Sequence, residues 1–188
     1  RCGTARGGAT DTRGRRGCAV VTTDHTDTDT RVRRGRIALA ATVVTVAALD
    51  LGLKAWAGRA LTGGNSTDLG LLDLRLAFNP GVAFSLGDTL PPAALLGVTG
   101  LIVAGLAVFA VRLTRTAALP VVLALAAMLG GAVANVIDRA ADGQVTDYLH
   151  TGWFPTFNLA DVFVVTGAAA LVVASWRASD TADSEVNG

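Results

Sequence analysis

Five polar residues in the second half of the 188-residue chain have the types and spacing of an acid–base site. Asn135 and Asp138 are three residues apart, as are Asn158 and Asp161, and Asp147 lies between the two pairs. In a helix, residues three apart share a face, so each Asn can hydrogen-bond its Asp or a common partner. Two adjacent carboxyl groups share a proton, which makes one a base and the other an acid. Spacing alone leaves open whether Asp161 works with Asp138 or with Asp147.

Another carboxylate, Asp50, precedes Lys54 by four residues near the end of a long apolar run. This spacing suits an ion pair or a contact with a lipid headgroup. A carboxylate within a membrane helix costs about 2.5–3.5 kcal/mol and is therefore a functional candidate. Structural interpretations also exist, because Asp138 can pair with Arg139 and Asp161 can offset a helix dipole.

The composition, 51% hydrophobic and 16% charged, excludes several classes of protein. Two cysteines cannot form a disulfide scaffold, and a net charge of +1 gives no support to nucleic-acid binding. His25 and His150 are too few for a zinc site, and we expect no metal and no cofactor. Charge-free runs close to a bilayer's thickness instead indicate a membrane protein.

The apolar runs predict transmembrane helices at about 37–56, 92–111, 117–136 and 159–176, since lipid offers no partners for backbone polar groups. Basic residues flank these spans at one end: Arg31, Arg33, Arg34, Arg36, Arg112, Arg115 and Arg177. By the positive-inside rule, both termini are cytoplasmic and the loops 57–91 and 137–158 face outside. Every acidic residue between 37 and 177 lies in or next to those outer segments, so we expect the chemistry at the outer surface.

The first outer loop contains a strictly alternating segment, 72–76, which predicts a short half-buried strand, followed by a turn at 79–81. The predicted fold class is therefore an all-α membrane protein, with four transmembrane helices and a small extracytoplasmic β-strand platform in the first outer loop. Gly130 and Gly131 favour close helix packing over a phosphate loop, because no Lys with Ser or Thr follows them.

Both ends of the chain are polar. Residues 1–36 are rich in Gly, Thr, Arg and Asp and are expected to be a disordered tail, as are residues 178–188 on the cytoplasmic side. Between them, residues 37–177 form the predicted four-helix domain. One hypothesis places the true start at Val32, through an alternative initiation codon, which would put most of the first tail upstream of the protein.

Several ordered motifs resemble those of the lipoprotein signal peptidase family, signal peptidase II. They occupy residues 50–54, 79–85, 130–139, 143–148 and 157–161. The resemblance covers about 37–177 and preserves both the order of the motifs and their sidedness. Ala134 stands where the family usually has Gly, and Thr146 and Tyr148 flank Asp147 where Val and Phe are more usual. None of these differences removes a polar functional group.

The resemblance implies an aspartic endopeptidase of the bacterial inner membrane that cleaves diacylglyceryl-modified prolipoproteins before the lipidated Cys. It assigns catalysis to Asp147 and Asp161. Substrate-binding or supporting roles fall to Asp50, Lys54, Asn79, Gly81, Asn135, Asp138, Arg139 and Asn158. The expected partners are lipid-modified prolipoproteins and membrane lipid, and the protein is expected to be a monomer that binds no nucleic acid.

Two other classes of protein remain as alternatives. A non-enzymatic four-helix scaffold or a small transporter would have the same spans, but transporters place charges near the bilayer midplane and often contain inverted repeats. A metal-dependent lipid-headgroup transferase would require Asp-Gly followed by Ala-Arg and two further spaced Asp. In this chain Asp142-Gly143 is followed by Gln144, Val145 and Thr146.

Overall fold

A computed structural model describes residues 24–80 and 91–186, in which the chain forms four helices and three strands. The elements are α1 (Asp24–Ala60), β1 (Ser66–Asp68), β2 (Asp73–Asn79), α2 (Pro92–Leu113), α3 (Leu119–Asp142), β3 (Val145–His150) and α4 (Leu159–Val186). Each of these described helices includes a segment long and apolar enough to cross a membrane. The predicted fold class is confirmed.

The helices have apolar side chains on the outside and buried polar side chains inside, the reverse of a water-soluble helical bundle. Large apolar side chains point outward, so that Leu101 is 76% exposed and Val165 is 66% exposed. Asp50 and Asn158, in contrast, are completely buried. Hydrocarbon solvates apolar side chains but provides no partners for polar groups, so a lipid environment favours this arrangement. The chain is a multi-pass membrane protein.

α3 lies at the centre of the bundle, in contact with α1, α2 and α4. Its buried residues Leu125, Ala126 and Leu129 pack with Leu39 of α1 and Ala110 of α2. Small residues allow the closest approaches, as expected for helices that associate by packing within lipid.

The two adjacent glycines of α3 contact different helices. A Cβ atom at Gly130 would lie 2.9 Å from the Cβ of Val46 on α1, and one at Gly131 would lie 2.5 Å from the carbonyl oxygen of Ala160 on α4. Neither space accommodates a side chain without movement. The structure therefore gives both glycines the packing role predicted from the sequence.

The helices extend beyond the predicted spans at both ends of the chain. α1 begins at Asp24 and α4 continues to Val186. The prediction of disorder is corrected for 24–36 and for 178–186, while 1–23 lies outside the described residues. Helix extension adds one hydrogen bond for each residue fixed, so a helix nucleated in the membrane can continue into polar sequence that would not form a helix alone.

The strands form an antiparallel sheet in the order β1-β2-β3. The segment predicted at 72–76 belongs to β2, but β3 comes from the segment between α3 and α4 and had no counterpart in the prediction. Gly143 ends α3 in the left-handed conformation, with φ 75°, and so directs the chain into β3. Below the sheet, Tyr148 of β3 packs with Ala57 and Leu61 at the end of α1. The sheet is therefore built from two connecting segments, α1 to α2 and α3 to α4, and packs on the end of α1.

We predict that Gly131→Ala lowers the free energy of unfolding by about 1–3 kcal/mol, because the new methyl group would push α3 away from Ala160. The measurement is thermal unfolding of the purified protein in detergent. Gly97→Ala on α2 is the matched control, since a Cβ there meets nothing within 4 Å. Equal melting temperatures for the two variants would contradict the packing role of Gly131.

Candidate active site

Asp147 is held by the sheet. It lies in the middle of β3, opposite Ala77 of β2, and is 3% exposed. The Asn158 side-chain amide donates a 2.7 Å hydrogen bond to its Oδ1. Burial raises the pKa of Asp147 to about 7, and the negative charge of Asp161 contributes to the increase. Hydrogen bonds from Asn158 and Asn79 and the charge of Lys54 oppose that increase without cancelling it.

Asp161 is held by the start of α4. The Asn158 backbone N–H donates to Oδ2 of Asp161 at 3.2 Å, and the Asp161 backbone N–H donates to Oδ1 of Asn158 at 3.0 Å. This reciprocal pair is a capping box with Asn at the N-cap and Asp at the third helical position. The N-x-x-D spacing of 158–161 therefore has a local structural function as well as a place in the site.

Asn158 joins the two carboxyl groups. Its amide nitrogen donates to Asp147, while its amide oxygen accepts from the Asp161 backbone. Because Asn158 is completely buried, water does not compete for these bonds. The side chain fixes β3 against the first turn of α4 and brings Asp147 and Asp161 into one electrostatically coupled pair.

Asn135 approaches the pair from α3. Its amide nitrogen donates to Oδ1 of Asp161 at 2.9 Å, and its amide oxygen accepts from Nζ of Lys54 at 2.6 Å. The Asn residues of the two N-x-x-D motifs thus have different hydrogen-bond partners. Asn158 bonds its own Asp, whereas Asn135 bonds the Asp of the other motif.

Asp138 contacts groups other than Asp147 and Asp161. Its Oδ2 accepts the backbone N–H of Thr146 at 2.7 Å and lies 3.2 Å from Nζ of Lys54. The Thr146 hydroxyl is 3.4 Å from its Oδ1. Asp138 therefore ties α3 to the residue that precedes Asp147.

Lys54 and Asp50 form a buried ion pair on α1, with Nζ and Oδ2 2.9 Å apart. The other oxygen of Asp50 accepts the backbone N–H of Ala160 at 2.8 Å. The i, i+4 spacing predicted either an ion pair or a headgroup contact, and the structure has the ion pair, 0–4% exposed. These contacts fix α1 to the start of α4.

Of the three remaining predicted site residues, two interact with Asp147 and the third lies outside the described residues. Arg139 is buried on α3 and interacts electrostatically with Asp138, Asp147 and Asp161. Asn79 ends β2 and reaches Asp147 through its side chain. Gly81 lies outside the described residues. Within 24–80 and 91–186, no three His, Cys, Asp or Glu side chains are arranged to hold a metal ion.

Tyr148 was not among the predicted site residues, although it supports the site. Its hydroxyl oxygen accepts the Leu159 backbone N–H at 3.2 Å, and burial raises the pKa of Tyr148 to about 12, so the phenol stays neutral. The sequence signal was its position next to Asp147 in an alternating segment. A strand places neighbouring residues on opposite faces, so Tyr148 points to the α1 side of the sheet.

Comparisons with known proteins show which family this chain is similar to. The family described as signal peptidase (SPase) II matches residues 42–177. A lipoprotein signal peptidase of Deinococcus radiodurans is 35% identical over 151 residues, which cover 71% of this chain and 76% of that protein. One of Mesorhizobium japonicum is 38% identical over 148 residues, covering 72% and 84%. One of Rhodococcus jostii is 37% identical over 110 residues, and the chain spans about half of it, 53%.

Among solved structures, a bacterial membrane enzyme determined by the in meso method at 2.3 Å resolution has a similar fold. The TM-score is 0.66 with 22% sequence identity, and the match covers 76% of this chain and 90% of that one. A second such enzyme, at 1.9 Å resolution, gives a TM-score of 0.61.

We predict that the stability of the protein depends on pH through Asp147. Its pKa rises from 3.8, the ordinary value, to about 7 on folding, so between these values the folded state holds the additional proton. The corresponding stability is complete below the lower value and is lost as the pH rises through about 7. The amide introduced by Asp147→Asn cannot titrate. This variant should therefore gain stability relative to the wild type as the pH rises from about 4 to about 7, by at most about 1.4 kcal/mol per pH unit.

Thermal unfolding in detergent across that pH range measures the difference. The exposed Asp142 provides the matched control, since Asp142→Asn removes a carboxylate without removing a buried one. A constant difference between Asp147→Asn and the wild type at every pH would contradict the assignment.

Proposed function

This chain belongs to the signal peptidase II family, and we propose that it is an aspartic endopeptidase that removes signal peptides from diacylglyceryl-modified prolipoproteins, cleaving before the lipidated Cys. The observation that carries the proposal is the pairing of Asp147 with Asp161 through Asn158. Hydrolysis of a peptide by water needs one group that acts as a base and one that acts as an acid. Two interacting carboxyl groups at the end of a membrane bundle supply both.

The reaction follows from one proton shared by the pair. The ionised carboxylate takes a proton from water as the water oxygen attacks the scissile carbonyl carbon. The protonated carboxyl group donates its hydrogen bond, and then its proton, to the developing oxyanion. When the tetrahedral intermediate collapses, the C–N bond breaks, the carboxyl group that took the water proton gives it to the leaving amine, and a hydroxyl proton of the intermediate returns to the other carboxylate. Neither a metal nor a covalent intermediate enters this sequence.

The other polar side chains hold this pair in place. Asp138 and Arg139 form its framework, Asn135 and Asn158 orient its carboxyl groups, and Asn79 contributes to substrate binding from the first outer loop. We assign Gly81, outside the described residues, to a close backbone contact with the substrate.

The membrane supplies the environment for the lipid part of the substrate. The helices present apolar side chains such as Leu101 and Val165 to their surroundings, and acyl chains have the same chemistry. We place both termini in the cytoplasm and the site near the extracytoplasmic face, because the basic residues flank one end of the spans and the acidic pair lies at the other. The proposed enzyme acts as a monomer.

The alternatives make different predictions. A scaffold or transporter would have no hydrolytic activity towards a lipidated peptide. A headgroup transferase would depend on a divalent metal, so we predict that cleavage by the purified protein continues at an unchanged rate in excess chelator. Loss of activity with chelator, and its recovery with added metal, would favour the transferase.

We predict that Asp147→Asn and Asp161→Asn each lower the rate of cleavage of a lipidated precursor peptide by at least about 1,000-fold, because neither amide can act as the acid or the base. Both variants should still insert in the membrane. Asp138→Asn should affect folding and activity less uniformly, since Asp138 contacts Lys54 and Thr146. The measurement is cleavage by purified protein in detergent.

Asp142→Asn is the matched control for these variants. Asp142 is an exposed carboxylate at the end of α3, and its variant should cleave at the wild-type rate. Near-normal cleavage by Asp147→Asn together with none by Asp138→Asn would show that the catalytic pair was assigned wrongly.

A further inference from the structure

We propose that Lys54 is a positioning residue of this reaction: it orients the Asn135 amide so that this amide donates to Oδ1 of Asp161, which makes Asp161 the base and leaves the proton on Asp147. The inference rests on the proposed function. It adds a division of roles within the pair and assigns that division to a residue on a third element, α1.

The orientation of the Asn135 amide depends on Lys54. An ammonium group can only donate hydrogen bonds, so the atom of Asn135 that lies 2.6 Å from Nζ must be the amide oxygen. The amide nitrogen then faces Asp161, 2.9 Å from Oδ1. Without the ammonium group, the amide oxygen loses its partner, and the contact with Asp161 alone is left to orient the amide.

Asp161 accepts hydrogen bonds at both of its carboxyl oxygens. Its Oδ1 accepts from Asn135 and its Oδ2 accepts from the Asn158 backbone N–H. It also lies in the first turn of α4, where the positive end of the helix dipole stabilises a negative charge. Hydrogen bonds donated to a carboxylate favour its ionised form.

Asp147 also accepts hydrogen bonds, from the Asn158 and Asn79 side chains, but it lies on a strand, which provides no dipole comparable to that of a helix. It is 3% exposed on β3, and burial raises its pKa to about 7, which favours the protonated form below that pH. The two carboxyl groups therefore differ in the way that an acid–base pair requires.

Lys54 is itself held firmly. It is 4% exposed, and besides its hydrogen bond to Asn135 it forms ion pairs with Asp50 at 2.9 Å and with Asp138 at 3.2 Å. The charged groups around the pair are Asp50 and Lys54 from α1 and Asp138 and Arg139 from α3. The same contacts also hold α1 against α3. An experiment must therefore separate the effect of Lys54 on the orientation of Asn135 (positioning) from its effect on helix packing (bracing).

The experiment is a double-mutant cycle on the purified enzyme in detergent, with a lipidated precursor peptide as substrate. It compares the wild type, Lys54→Met, Asn135→Asp and the double variant by kcat, KM and melting temperature. Each single variant should lower kcat by about 100-fold, the scale of losing one oriented donor, with KM changed by less than about 3-fold. The double variant should be no slower than the slower single variant, because both changes disturb the same hydrogen bond from Asn135 to Asp161.

Asn135→Asp separates the two roles. A carboxylate of the same size still accepts a hydrogen bond from the Lys54 ammonium group, so the packing of α1 and the melting temperature are preserved, but it has no N–H group to donate to Asp161. Positioning predicts the loss of kcat in this folded variant, whereas bracing alone predicts that kcat is retained.

The inference is overturned if Asn135→Asp keeps kcat within about 3-fold of the wild type, or if the two single losses multiply in the double variant. If Lys54→Met does not fold, Asn135→Asp decides by itself. A wild-type protein that cleaves no lipidated peptide would overturn the proposed function instead, so the two failures are distinguishable.

Discussion

The rest of the site depends on the contacts of one buried group, the ammonium group of Lys54. Carboxylates removed from water are strongly destabilised unless a positive charge and hydrogen-bond donors compensate them. Asp50 and Asp138 lie within 3.2 Å of Nζ, and Asn135 carries the effect of Lys54 to Asp161. α1, α3 and the start of α4 are thereby joined at one depth through polar contacts.

These polar contacts have a second consequence, because every backbone element of the site is fixed by a side chain from another element. Asp138 accepts the N–H of Thr146 in β3, and Asp50 accepts the N–H of Ala160 in α4. Each carboxylate satisfies a backbone donor at the edge of an element, where the regular ladder or helix does not. The residues next to Asp147 and Asp161 in the chain, Thr146 and Ala160, are thereby fixed by carboxylates of α3 and α1.

Much of this architecture was predictable from particular residues. The charge-free runs predicted the four spans, and the alternation at 72–76 predicted part of β2. β3 was not predicted, because its short sequence is interrupted by Asp147 and its pairing partner lies about 70 residues earlier in the chain. The helical ends at 24–36 and 178–186 were also missed, since composition describes a segment without the membrane helix that extends into it.

By itself, the sequence determined the apolar spans, the gathering of acidic residues at one end and the two N-x-x-D motifs, because hydrophobicity and local spacing act over a few residues. It could not distinguish Asp138 from Asp147 as the partner of Asp161, since both have suitable spacing. Only the tertiary structure directed Asp138 towards Thr146 and Lys54 and brought Asn158 between Asp147 and Asp161. The physical reason is that hydrogen bonds between side chains depend on how distant elements pack.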